Sequence, residues 1–224
     1  MAEGDKTKSC LKEDDEMVDI MYSGKTLWNK ILRLDEECTK KLSFCAMLDS
    51  SFGRLRPFMK LLEISCHGIP WYLCTIAGLM MAYRPENIEV LMNLLIGLFL
   101  DITVVGLTKV IVRRARPAHN QMDMFATISV DNYSFPSGHA SRAAMLLLFF
   151  VKKVFSPGSM WCYLMWVWSV SVSVSRVILG RHHILDVVAG FLIGICQYYV
   201  LLQFWLPASL CISILEPYLG HFHL

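Results

Sequence analysis

The chain has 224 residues, 55% of them hydrophobic and 18% charged, with a mean hydropathy of +0.46 and a formal net charge of +2. A soluble domain carries about a quarter charged residues, so this composition argues against a soluble globule; the net charge says little about partners, and no nucleic-acid partner is expected. The charge is also uneven: residues 1–56 hold 21 of the 40 Asp, Glu, Lys and Arg side chains, which divides the chain into a polar N-terminal quarter and a membrane domain.

Residues 1–24 contain no apolar core of the kind a signal peptide needs and read as a disordered cytosolic tail. Within 25–56, the stretch 27–48 has apolar side chains at rough helical spacing but too many charges to span, which predicts an amphipathic helix lying on the membrane; a soluble helix is the alternative. About 20 mostly apolar residues cross a bilayer as a helix. Five segments qualify: 58–83 with Pro70 near its middle, 87–111, 139–155, 160–180 and 184–206. The segment 139–155 is short, and Lys152 and Lys153 at its end can snorkel. Trp161, Trp166 and Trp168 read as interface-belt and packing residues. Residues 207–224 read as a C-terminal tail. The predicted fold is therefore all-α: a polytopic transmembrane helix bundle of about five spans over 57–206, plus the interfacial helix. The eight cysteines are scattered without a Cys-x-x-Cys pair, so they read as packing thiols rather than a metal site or disulfide framework.

Three clusters carry chemistry: Lys109 to Arg116-Pro117 at the end of the second span, Tyr133 to His139 opening the third, and Ser175 to Asp186 between the fourth and fifth. Counting crossings puts all three on one membrane face. Lys109, Arg116 and Arg176 supply fixed positive charge suited to phosphate oxygens. Pro136-Ser137-Gly138 leads into a helix start, whose free N–H groups favour an anion. His182 and Asp186 are four apart, which on a helix places them on one face, so the carboxylate orients the imidazole as a nucleophile. His139, from another helix, protonates the leaving oxygen and later takes a proton from water. The result is a double displacement at phosphorus with no cofactor and no metal.

Other residues have plainer readings. Arg113 and Arg114 suit a membrane anchor as well as the cationic cluster, and Arg142 and Arg181 read rather as anchors. His67, His119, His221 and His223 read as structural, and His183 sits about 100° off the His182 face. Asp101 is costly inside a span and is expected to pair with His67 or a cluster cation. Asn120, Gln121 and Asp123 lie between two clusters in the long polar loop 112–138. They are candidates for contact with a second phosphate or head group, with loop packing as the alternative.

Lys109-x6-Arg116-Pro117, Pro136-Ser137-Gly138-His139 and Ser175-Arg176-x5-His182-x3-Asp186 together resemble the tripartite signature of the phosphatidic acid phosphatase type 2 family, over about residues 57–206. That family is an α-helical membrane bundle related to soluble vanadium haloperoxidases. The resemblance implies His182 as nucleophile, Asp186 as its orienter and His139 as acid and base, with Lys109, Arg116, Ser137, Gly138 and Arg176 binding phosphate. Residues 116–125, 133–140 and His67-Gly-Ile-Pro-Trp71 further resemble the polyisoprenoid diphosphate phosphatase branch. This implies presqualene, farnesyl and geranylgeranyl diphosphates as substrates, with phosphatidate as another, and a place in the endoplasmic reticulum membrane and nuclear envelope. The partners implied are the lipid substrate and the bilayer; self-association stays open. A catalytically silent envelope scaffold and a vanadate-dependent haloperoxidase are the competing readings. The crossing count places the site on the side of the N-terminus, hence the cytosol.

Overall fold

The computed structural model describes residues 26–46, 52–118, 120 and 132–219, and among these the regular structure is helical with no strand. The polar tail 1–24, His119, Gln121, Asp123, His221 and His223 lie outside the described residues. The chain forms two compact units, Met1–Cys38 and Thr39–Leu224. Helical backbone runs over 26–42 (α1), and Leu27, Trp28, Ile31 and Leu34 are exposed along its first turns at helical spacing.

The larger unit continues with α2 (Arg56–Ser65), α3 (Gly68–Met80), α4 (Pro85–Val112), α5 (Gly138–Lys153), α6 (Met160–Ile178), α7 (Ile184–Gln203) and α8 (Ala208–Leu219). Helices α4, α6 and α7 have 28, 19 and 20 residues and are long and apolar enough to cross a membrane. Their outer faces keep Phe99, Leu107, Trp161, Val167, Val188 and Leu192 exposed, an arrangement stable when the solvent is lipid.

Helix α5 is the central strut. Its residues Ala140 to Leu147 are all buried, and it packs against both α6 and α7. The approach of α7 depends on glycine: a Cβ at Gly190 would strike the Ser137 carbonyl, and one at Gly194 would strike that of Ser141. Leu94, Leu98, Met145, Phe149, Tyr198 and Leu201 fill the core between α4, α5 and α7.

Two segments depart from expectation. The apolar stretch 58–83 is two helices, broken at Cys66–His67 rather than at Pro70. Pro70 falls in the first turn of α3, where a missing N–H costs nothing, and His67 caps that turn. In α2, Phe58, Leu61 and Ile64 face outward, while Arg56 and Glu63 are each 2% exposed. Helix α5, over the expected third span, is short as predicted, with 16 residues and Lys153 seated 4.3 Å over the Trp205 ring. Residues 208–219, expected to be a tail, form α8 and pack on α4. Glu89 accepts hydrogen bonds from Trp205 Nε1 (2.6 Å) and the Ala208 N–H (2.8 Å), and buried Asn93 bonds Leu206, so polar groups of α4 draw the chain back.

Residues 39–46 fold over the end of α6. Ser43 Oγ donates to the Val177 carbonyl at 3.0 Å, the Cys45 N–H donates to Ile178 O at 3.2 Å, and Arg56 Nη1 donates to Cys45 O at 2.8 Å. The Ile184 N–H donates to Thr39 Oγ1, so this strap also satisfies the start of α7.

Candidate active site

The end of α4, the starts of α5 and α7 and the end of α6 converge. Backbone contacts lock them. The Ser137 N–H donates to Asp186 O at 2.9 Å, joining the starts of α5 and α7. Ser134 donates from its N–H to Arg114 O at 2.8 Å and from Oγ to Ala115 O at 2.8 Å, joining the second cluster to the first. Gly180, at φ +66, turns the chain out of α6, so that the N–H groups of Arg181 and His182 both reach Arg176 O.

His182 is 2% exposed, and its Nδ1 lies 2.7 Å from the Ser134 carbonyl. A carbonyl only accepts, so Nδ1 carries the proton and Nε2 presents a lone pair. Burial, then Arg116, Arg176 and Lys109, push the His182 pKa well below its ordinary value; the Ser134 carbonyl pulls weakly the other way. The ring is therefore neutral at physiological pH, with the Nε2 lone pair available.

Asp186 is not where the helical spacing put it. Helix α7 starts at Ile184, so His182 lies outside it and the four-residue rule does not apply to the pair. The Asp186 carboxylate instead accepts the His183 N–H on Oδ2 at 2.9 Å and pairs with Arg114 Nη1 on Oδ1 at 2.7 Å. Orientation of His182 belongs to the Ser134 carbonyl. Asp186 closes the α7 N-terminus and holds Arg114, which is thus a site-building residue and not an anchor.

His139 stands in the first turn of α5 with its Nε2 buried and without a hydrogen-bond partner among the described residues. Lys109 and Arg176 lie within electrostatic reach of both His139 and His182, so the two imidazoles flank one cationic centre. Ser137 caps α5, its Oγ accepting the Ala140 N–H at 3.4 Å. Arg116 Nη1 donates to Arg181 O at 2.9 Å, placing its guanidinium beside His182.

Glu63 was not singled out as a site residue from sequence. Its Oε2 lies 3.3 Å from Arg176 Nη1 and 3.4 Å from Arg181 Nη2, all three side chains being buried. An acid in an otherwise apolar stretch was the available signal. Arg181, expected to anchor at the surface, is fully buried and also donates to Asn120 Oδ1 at 3.3 Å. That contact brings Asn120 to the rim of the site. Asp101 pairs with Arg142 at 2.9 Å, not with His67 or a phosphate-binding cation, and accepts from Ser141 Oγ at 2.7 Å. Arg142 is correspondingly buried and not an anchor. Among the described residues, no three His, Cys, Asp or Glu side chains gather as a metal site.

Fold and site together define a helical membrane protein whose cationic centre, flanked by two histidines, suits a phosphoryl group. Residues 90–209, more than half of the chain, match the PAP2 superfamily, and the chain belongs to it. It is 37% identical over 138 residues to a probable lipid phosphate phosphatase beta of Arabidopsis thaliana, a match covering 51% of this chain and 65% of the plant protein. It is 31% identical over 136 residues to an undecaprenyl-diphosphatase of Sulfolobus acidocaldarius, covering 58% of this chain and 62% of that one. The chain thus spans less than two thirds of the length of these relatives. The crystal structure of a transmembrane PAP2 type phosphatidylglycerolphosphate phosphatase from Bacillus subtilis superposes with a TM-score of 0.57 at 25% identity, over 79% of this chain and 86% of that one.

Proposed function

We propose that the chain is an integral membrane lipid phosphatase acting on polyisoprenoid diphosphates and monophosphates, and on phosphatidate, through a phosphohistidine at His182. The observation that carries this is the His182 ring, neutral, tied at Nδ1 to Ser134 and set among Lys109, Arg116 and Arg176. Nε2 attacks phosphorus, and the bond to the leaving oxygen breaks as His139 delivers its Nε2 proton to that oxygen. Lys109, Arg116, Arg176 and the α5 N-terminus meet the charge on the equatorial oxygens. His139 then takes a proton from water, the hydroxide attacks the phosphohistidine, and phosphate leaves His182.

The site faces the cytosol of the endoplasmic reticulum and nuclear envelope in this reading. A cysteine placed at Ala118 should be labelled from outside in sealed microsomes; protection would reverse the sidedness. The principal test is phosphate release by detergent-purified protein from farnesyl diphosphate and from phosphatidate, with EDTA present. Release that survives EDTA and vanishes in His182→Ala is the expected result. Folded protein that releases nothing from either lipid would overturn the proposal.

A further inference from the structure

The joint between α2 and α3 brings a third imidazole to the site. His67 caps α3: its Nδ1 accepts the Ile69 N–H at 3.3 Å, so the neutral ring carries its proton on Nε2. The His67 and His139 ring centroids are 6.1 Å apart at an interplanar angle of 60°. The joint is held firmly to α5. Cys66 Sγ donates to the His139 carbonyl at 3.4 Å, Arg142 Nη1 donates to the Cys66 carbonyl at 3.2 Å, and Asp101 holds Arg142. Gly68 allows this approach, since a Cβ there would meet the Arg142 guanidinium carbon at 3.3 Å. A buried ion pair inside the bundle thus serves to fix a break in an apolar segment beside His139.

The reaction geometry says what stands there. In-line displacement puts nucleophile and leaving oxygen on opposite sides of phosphorus. With His182 on one side, the leaving group lies toward His139. If the substrate is a diphosphate, that leaving group is the lipid's own phosphate, which carries negative charge a monophosphate's alcohol lacks.

We propose that His67 contacts substrate, donating from Nε2 to the lipid-proximal phosphate of a diphosphate and so setting preference for diphosphate over monophosphate. The inference rests on the lipid phosphatase reading above. His67 transfers no proton; the bond cleaved and the proton from His139 are unchanged.

Two variants separate contact from capping. His67→Asn keeps a good helix cap but is too short to reach the Nε2 position, and His67→Gln reaches it. Turnover of farnesyl diphosphate and farnesyl monophosphate keeps the tail constant. His67→Asn should lower kcat/KM for the diphosphate about tenfold or more, while changing the monophosphate less than about twofold, and His67→Gln should retain most of the preference. Parallel losses on both substrates, or no change, would overturn the proposal. A second arm measures thermal stabilisation of the detergent-solubilised protein by inorganic pyrophosphate and by phosphate. Wild type should bind pyrophosphate more tightly, and His67→Asn should erase the difference. Erased preference with no lipid turnover in wild type would sink the phosphatase reading and leave the subsite standing. Normal turnover with preference intact in His67→Asn would sink the subsite alone.

Discussion

Glu63 of α2 and Arg176 of α6 form a buried ion pair, with Oε2 3.3 Å from Nη1. The same carboxylate meets Arg181, so one acid holds two guanidiniums. One of these, Arg176, belongs to the proposed phosphate-binding set, and the other, Arg181, reaches Asn120. Glu63 therefore positions Arg176.

Removing that carboxylate should matter twice. Glu63→Ala leaves two buried cations without it, at a stability cost of about 3–5 kcal/mol. Glu63→Gln keeps shape and hydrogen bonding but not charge, and should fold. Its kcat/KM should fall about 10- to 100-fold, the loss expected when a phosphate clamp shifts by about an ångström. Initial rates on folded Glu63→Gln, matched by thermal melts in detergent, check this; wild-type rates would show that Arg176 is held without it.

The Asp186–Arg114 pair predicts strong coupling. Because Asp186 bonds Arg114 and the His183 N–H, Asp186→Ala and Arg114→Ala should damage the same connection. In a double-mutant cycle the pair should show an interaction energy of at least about 1 kcal/mol in both activity and stability. Additive losses, with Asp186→Ala far more severe, would return Asp186 to direct orientation of His182.

The neutral His182 ring sets the acid limb of the pH profile. Its pKa is held well below 6.5, so protonation of the His182 ring should cut kcat/KM only below that pH. Removing one of the cations that depress it, as in Arg116→Gln, raises the pKa and should move that limb to higher pH, besides slowing the reaction. Stability follows the same sign. Below about 6.5 the unfolded chain takes a proton that the folded ring refuses, so His182 makes the fold less stable as pH falls. A limb that does not move in Arg116→Gln would contradict the electrostatic account.

Glycine packing of α7 on α5 can be tested against an internal control. Gly194→Ala drives a Cβ into the Ser141 carbonyl and should cost about 1–3 kcal/mol. Gly106, in α4, has nothing within 4 Å of its would-be Cβ, so Gly106→Ala should be neutral or stabilising by up to about 1 kcal/mol. Thermal melts of both in the same detergent give the comparison, and equal effects would deny the close approach.

Much of this protein is local and was therefore readable without coordinates. Hydropathy over about 20 residues located α4, α6 and α7, because a span is a property of a continuous run. The spacing of Lys109, Arg116, His139, Arg176 and His182 located the cationic centre, because helix ends with alternating direction bring them to one face. The tertiary structure decided what depends on contacts between distant segments or on a helix boundary. Beginning α7 at Ile184 removes His182 from the face of Asp186, a difference of two residues that changes which group orients the ring. The Ser134 carbonyl, 48 positions from His182, takes that role through a turn that no periodicity reports. Glu63 and Arg142 read as isolated charges along the chain. Only the bundle gives each a buried partner, and burial without a partner is what such charges cannot bear.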